Sequence, residues 1–97
     1  MTMRIVFLRR TRADLVCFQR YYEYIFPEGD RQASGQYLAT RKTLRENPLI
    51  GREIDESEYR EFPIARTPFV FVYRIRDNEI QVLRIWDARR NPNDNLV

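Results

Sequence analysis

Residues 68–86 read Pro68-Phe69-Val70-Phe71-Val72-Tyr73-Arg74-Ile75-Arg76-Asp77-Asn78-Glu79-Ile80-Gln81-Val82-Leu83-Arg84-Ile85-Trp86. β-Branched and aromatic residues fill both halves, and such residues suit a pleated, half-buried surface. Asp77 and Asn78 between them tolerate positive φ, which a two-residue hairpin loop demands. The stretch therefore predicts a hairpin with strands over 68–76 and 79 to about 86. That loop sets Arg76 opposite Glu79, Ile75 opposite Ile80 and Arg74 opposite Gln81, continuing to Phe69 opposite Trp86. Opposite residues share a face. One face then collects Phe69, Phe71, Tyr73, Ile75, Ile80, Val82 and Trp86, with Arg84 among them. The other holds Val70, Val72, Leu83 and Ile85 at one end, and Arg74, Arg76, Glu79 and Gln81 at the other. The aromatic face is expected to meet helices. The second face is too apolar to stand bare, so a partner polypeptide is expected over it, ahead of a loop or tail folding back.

Working towards the N-terminus, 59–64 reads as a further strand and 48–58 as a turn-rich acidic connection. Ala33, Tyr37, Thr40 and Leu44 recur at helical spacing, in a helix that Asp30 can cap and Asn47-Pro48 ends. Leu15, Phe18, Tyr22 and Ile25 form an earlier apolar stripe, closed by Pro27 and Gly29. Thr11 with Asp14 three residues on is a variant capping box for that helix. Residues 4–8 form the first strand. The order strand, helix, helix, then three strands predicts an α+β domain, with two helices on one face of a mainly antiparallel, four-stranded sheet. The 97 residues suit one domain, 1–97, with a polar, Pro92-containing tail over 87–97 expected to be loosely ordered.

Charge is unevenly spread. Residues 53–61 carry five acids (Glu53, Asp55, Glu56, Glu58, Glu61) against Arg60, so the remainder of a +3 chain holds a balance of +7. Of the 17 bases only Lys42 is lysine, and arginine is the base suited to bidentate contacts with phosphate or carboxylate. A surface for nucleic acid or for an acidic partner is one reading, and a solvated face is the other. With one cysteine, Cys17, no intramolecular disulfide forms, which suits a reducing compartment. The apolar run before Arg9-Arg10 is too short for a signal segment, and nothing approaches a membrane span, so a cytoplasmic protein is expected.

Much chemistry is absent from the chain. No histidine occurs, which removes the commonest general base, the Ser-His and Cys-His pairs and most zinc sites. Gly29, Gly35 and Gly51 are too scattered for a phosphate loop. The acids at 53–58 lack the spacing and turn glycine of a calcium loop, so no metal or cofactor is expected. Cys17 is expected to serve as small core packing. Arginines near aromatics remain: Arg74, Arg76, Arg84, Arg89 and Arg90, with Tyr73 and Trp86, and Arg76 is expected to pair with Glu79.

Several segments resemble one family. They are Arg12-Ala13-Asp14-Leu15; Leu44-Arg45-Glu46-Asn47-Pro48-Leu49-Ile50-Gly51-Arg52; Arg60-Glu61-Phe62-Pro63-Ile64; Val70-Phe71-Val72-Tyr73-Arg74-Ile75; and Val82-Leu83-Arg84-Ile85-Trp86-Asp87-Ala88-Arg89-Arg90-Asn91-Pro92. Spanning 12–92 in the family's order, they resemble the RelE/ParE superfamily of type II toxins, closest to the ParE branch. The resemblance implies the strand-helix-helix-three-strand fold and a cognate, ParD-like antitoxin whose C-terminal segment folds along the helices and the sheet. It implies poisoning of DNA gyrase for ParE-like members, and ribosome-dependent cleavage of mRNA for RelE-like ones. Many relatives carry His-Gly-x-Arg where Asp87 to Arg90 stand, and RelE-type cutters place an arginine where Val70 falls. Lacking those groups, a ribonuclease would depend on Arg74, Arg89, Arg90 and Tyr73, and arginine is a poor proton acceptor. Non-enzymatic gyrase poisoning therefore ranks ahead of RNA cleavage, with a degenerate, non-toxic member as a third reading. Expected target contacts are Arg74, Arg84, Trp86, Asp87, Arg89 and Arg90. Expected antitoxin contacts are Tyr21, Tyr24, Val70, Val72, Leu83 and Ile85.

Overall fold

The computed structural model describes residues 2–89. β1 (Arg4–Phe7) leads into α1 (Thr11–Arg20), which continues as a π turn over Tyr21–Ile25. A short 3-10 turn, Pro27–Gly29, precedes α2 (Asp30–Glu46). Then come β2 (Arg52–Glu53), β3 (Tyr59–Pro63), β4 (Phe69–Arg76) and β5 (Glu79–Asp87). The sheet has five strands in the order β1-β5-β4-β3-β2, one more than the sequence reading. β2 is only two residues long, too short for a periodic pattern, and pairs antiparallel with β3 at Arg52–Glu61 and Glu53–Arg60. β1 runs parallel to β5 and the other pairs are antiparallel, so the fold is α+β with a mixed sheet.

Both helices cover one face. Ala33, Thr40 and Leu44 of α2 and Phe18 of α1 are buried against Phe69, Phe71, Tyr73, Ile80, Val82 and Ile85. Phe18 meets Phe69 edge-on at a 5.0 Å centroid separation, and Tyr37 lies 5.7 Å from Phe71. Such pairs add to the area term that dominates a core of this size.

Asp77 and Asn78 both have positive φ (56° and 59°), as the hairpin loop requires. The expected register holds over Arg76–Glu79, Ile75–Ile80, Arg74–Gln81 and Tyr73–Val82, then breaks. Val72 faces Arg84, Phe71 faces Ile85, Val70 faces Trp86 and Phe69 faces Asp87, because a bulge places an extra residue, Leu83, in β5. A one-residue slip transposes faces. Ile85 thus joins the helix-covered core at 2% exposure, leaving the outer face it was expected to share with Val70 and Val72.

The outer face is largely a charge ladder instead. Arg52 bonds Glu61, and Arg74 donates to Gln81 Oε1 (2.8 Å). Arg76 takes both oxygens of Glu58 at 2.7 and 2.8 Å, not its cross-strand neighbour Glu79. The Arg76 guanidinium, with Arg74 beside it, holds the Glu58 carboxyl below the usual carboxylate range. Stabilisation from a depressed carboxyl is complete above its unfolded pKa and is lost as pH falls through the lowered folded value. NMR titration of Glu58 is expected to give a midpoint below that of a free glutamate, and Arg76→Ala should move it back up. An unchanged midpoint in the variant would refute the assignment.

Three further expectations change. Neither helix has a side-chain cap: the N-cap residues are Arg10 and Gly29, and Asp30 begins α2 without capping it. Ile25 is 72% exposed, because the wider π turn retards the helical rotation that would have carried it inward. Cys17 is exposed and lies outside the core. Of the expected tail, Asp87 completes β5 and Ala88 donates its N–H to Pro68 O at 2.8 Å. Residues 90–97, Arg90 among them, lie outside the described part.

Candidate functional site

β1 pairs with β5 only from Glu79 to Val82, so no strand lies beside β5 from Leu83 to Asp87 on that side. α1 fills the position. Thr11, fully buried, donates from Oγ1 to Val82 O at 2.6 Å. Asp14, 8% exposed, accepts the Ile85 N–H at 2.9 Å and both Nε (2.7 Å) and NH2 (3.1 Å) of Arg84. The two residues that read as a capping box therefore fasten α1 to a strand seventy residues away. A carboxylate accepting from a backbone N–H and twice from one guanidinium is a strong acceptor site. It also satisfies an edge N–H that would otherwise be buried without a partner.

Past Asp14 the helix and strand diverge, and a cavity of about 290 Å³ opens between them. α1 contributes Asp14, Cys17 and Arg20, and the π turn contributes Tyr21, Tyr24 and Ile25. Phe69 forms the back, and Arg84 through Asp87 form the strand side. The π turn is what shapes it. Packing both Tyr21 and Tyr22 on Phe69 (5.5 and 6.3 Å between centroids) swings Tyr24 and Ile25 to the rim, each 72% exposed.

Two arginines at or next to the cavity are each held by a carboxylate that lines it. Arg84 lies on Asp14, with its guanidinium carbon 5.8 Å from the centre of the Trp86 ring. Its pKa is raised, first by the hydrogen bond to Asp14. Arg89 is bonded by Asp87 (Nε–Oδ1 3.0 Å, NH2–Oδ2 2.7 Å) and lies 5.4 Å over the Tyr21 ring. The Asp87 hydrogen bond likewise raises the Arg89 pKa. Both cations are thus fixed in direction and stacked on aromatics, an arrangement arginine makes and lysine does not.

The two sets of residues expected from sequence converge here in part. Arg84, Trp86 and Asp87 from the target set line the same cavity as Tyr21, Tyr24 and Ile85 from the antitoxin set, and Arg89 lies over the ring of the lining Tyr21. Arg74 is elsewhere, on the outer face between Gln81, Glu58 and the Tyr59 ring. Val72 is 6% exposed, and Val70 and Leu83 are half-buried away from the cavity. Tyr73 is fully buried, its hydroxyl bonded to Pro48 O and Gly51 N, so it is no reagent for RNA cleavage. Asp14, Cys17, Arg20, Ile25 and Phe69 were missed. Asp14 had a sequence trace: it is the only acid in an arginine-rich helix, on the turn that faces the sheet. Ile25 had none, because nothing in the tyrosine run announces a π turn.

A family model described as the ParE toxin of type II toxin-antitoxin system, parDE, matches residues 5–92. A solved structure described as the chromosomal ParDE TA system from P. aeruginosa is similar, at 30% identity over 87% of this chain and 94% of that one, with a TM-score of 0.67. The YoeB dimer from Staphylococcus aureus shares the fold at 15% identity, with the same coverage and a TM-score of 0.57. No curated protein sequence matches the chain.

Proposed function

The chain belongs to the ParE toxin family of type II toxin–antitoxin systems, and from that premise we propose that it inhibits growth by poisoning DNA gyrase through the α1–β5 groove, and that its antitoxin neutralises it by covering the same groove. The observation that carries this reading is the convergence of Tyr21, Tyr24 and Ile85 with Arg84, Trp86 and Asp87 around one cavity. A largely apolar surface that is needed for the target is blocked most directly by occupation. Rigid aromatics beside a desolvated arginine are the make-up of binding hot spots.

The chemistry of the groove favours a binding function over RNA cleavage. Activation of a 2′-hydroxyl needs a proton acceptor free to receive it. Of the carboxylates lining the cavity, Asp14 is engaged by Arg84 and the Ile85 N–H, and Asp87 by Arg89. The remaining polar groups are arginines, which stay charged, tyrosines, the Trp86 indole N–H, which only donates, and the Cys17 thiol. No helix among the described residues is long and apolar enough to cross a membrane.

Purified toxin is expected to abolish gyrase supercoiling and accumulate cleavage complexes, with Trp86→Ala raising the half-inhibitory concentration by about ten-fold or more. Full gyrase activity at large toxin excess would refute the reading. So would new cuts in mRNA, mapped by primer extension from induced cells, while gyrase remained active.

A further inference from the structure

The chain's bases are arginines almost throughout, and the groove and the outer-face ion pairs engage only part of them. A separate group stands at the start and on the solvent side of α1. Thr11, Asp14 and Phe18 are the buried residues of that helix, so at 3.6 residues per turn Arg12 and Arg20 fall away from the core. Arg9 and Arg10 form the turn that leads into it. All four are exposed and make no ion pair among the described residues. The one acid between Arg9 and Arg20 is Asp14, which is buried on Arg84, and the next along the chain is Glu23. The backbone under these arginines is fixed. Thr11 N–H bonds Leu8 O at 2.8 Å and Arg12 N–H bonds Arg9 O at 3.2 Å, while the Thr11 and Asp14 side chains fasten the helix to β5.

We propose that Arg9, Arg10, Arg12 and Arg20 grip the phosphate backbone of duplex DNA, so that the toxin holds the DNA on which its target works as well as the target. The choice of DNA over duplex RNA rests on the gyrase reading; the duplex contact itself rests on the stripe. Four unpaired cations on one surface select an anionic ligand. Residues 9–20 extend over roughly 17 Å at helical rise, and a duplex presents one negative charge per ~1.7 Å of its axis, so several phosphates fall within reach. The guanidinium fork matches a phosphate's paired oxygens, which is what arginine offers over lysine. Unpaired strands are held instead by stacking bases on aromatic side chains. Phe18, the one aromatic from Arg9 to Arg20, is buried, so the stripe offers no such platform.

Fluorescence anisotropy of a labelled 20-base-pair DNA duplex, titrated with the purified toxin from about 50 to 200 mM salt, tests the contact. The parent should bind with a dissociation constant between about 1 and 100 μM at the lower salt, and log K should fall with log salt at a slope near −3.6, about −0.9 for each of four arginines. A variant carrying Arg9→Gln, Arg10→Gln and Arg12→Gln, all outside the groove, should bind at least about ten-fold more weakly, with the slope reduced by about 2.7. Arg31→Gln with Lys42→Gln, equally exposed on α2, should leave affinity within about two-fold. Each variant's circular dichroism and urea midpoint establish that it is folded, and Arg12→Gln alone, with an expected slope change of about 0.9, serves if the triple variant is not. No duplex binding by the parent, an unchanged slope in the stripe variants, or an equal loss in the α2 variant overturns the inference. So does tighter binding of a 20-nucleotide single-stranded RNA or of an RNA duplex. None of these results touches the gyrase reading, which falls separately if the toxin binds the duplex and leaves supercoiling intact.

Discussion

Asp14→Ala is expected to destabilise the protein by about 3 kcal/mol, a large share of the ~5–15 kcal/mol that holds a small domain folded. The side chain is 11% exposed and its guanidinium partner on Arg84 only 21%. Removing the carboxylate takes a short ion pair from a largely buried cation and leaves the Ile85 N–H without the acceptor it has here. Either loss is costly in a site water barely reaches. Asp14→Asn should cost roughly half as much, since an amide oxygen can still accept from Ile85 though it carries no charge. Urea unfolding of the parent and both variants checks the order. Equal midpoints for the alanine and asparagine variants would show that the charge contributes nothing, and a loss below about 1 kcal/mol for alanine would refute the fastening role. The functional consequence follows from the same contacts. Arg84 without its bonds to Asp14 is held less firmly beside Trp86, so target inhibition should weaken more than the loss of folded protein explains.

The contrast between what could and could not be read from sequence has a physical basis. The hairpin was legible because a two-residue loop fixes register locally, and four pairs from Arg76–Glu79 to Tyr73–Val82 follow from it. The bulge at Leu83 was not, since neither glycine nor proline marks it. It answers a tertiary demand: α1 crosses β5 at that level, and the extra residue turns Ile85 into the core while Arg84 reaches Asp14. Thr11 and Asp14 have the spacing of a helix cap, and a local rule reads them so. Their partners are Val82 and Ile85, which no local rule can see. The same limit governs the site. Arg84, Trp86, Tyr21 and Tyr24 were found because arginine and aromatics stand out by type. The apolar surface was assigned to a sheet face instead of the α1–β5 groove, because that assignment depended on the register beyond the bulge.

A second substitution should rival the first. Gly51→Ala is expected to cost about 3 kcal/mol, which lowers the Tm of a domain this size by roughly 12–24 °C. Gly51 is buried beneath Tyr73, and a Cβ there would collide with the tyrosine hydroxyl and the adjoining ring carbons. The hydroxyl has no room to yield. It donates to Pro48 O at 2.7 Å and accepts the Gly51 N–H at 2.9 Å, while Arg60 NH1 binds Gly51 O at 2.8 Å. Burial raises the Tyr73 pKa, so the phenol stays protonated and keeps donating to Pro48. A methyl group at 51 must therefore either push a core aromatic off its seat or break the hydrogen bonds that join the end of α2 to β4. Tyr73→Phe alone should cost about 1–2 kcal/mol, for the two bonds lost. Combining it with Gly51→Ala should cost less than the sum, because the oxygen that collides is gone. Thermal unfolding of the four proteins measures that coupling, and strict additivity would mean that the collision is relieved elsewhere and that the latch is not what makes residue 51 a glycine.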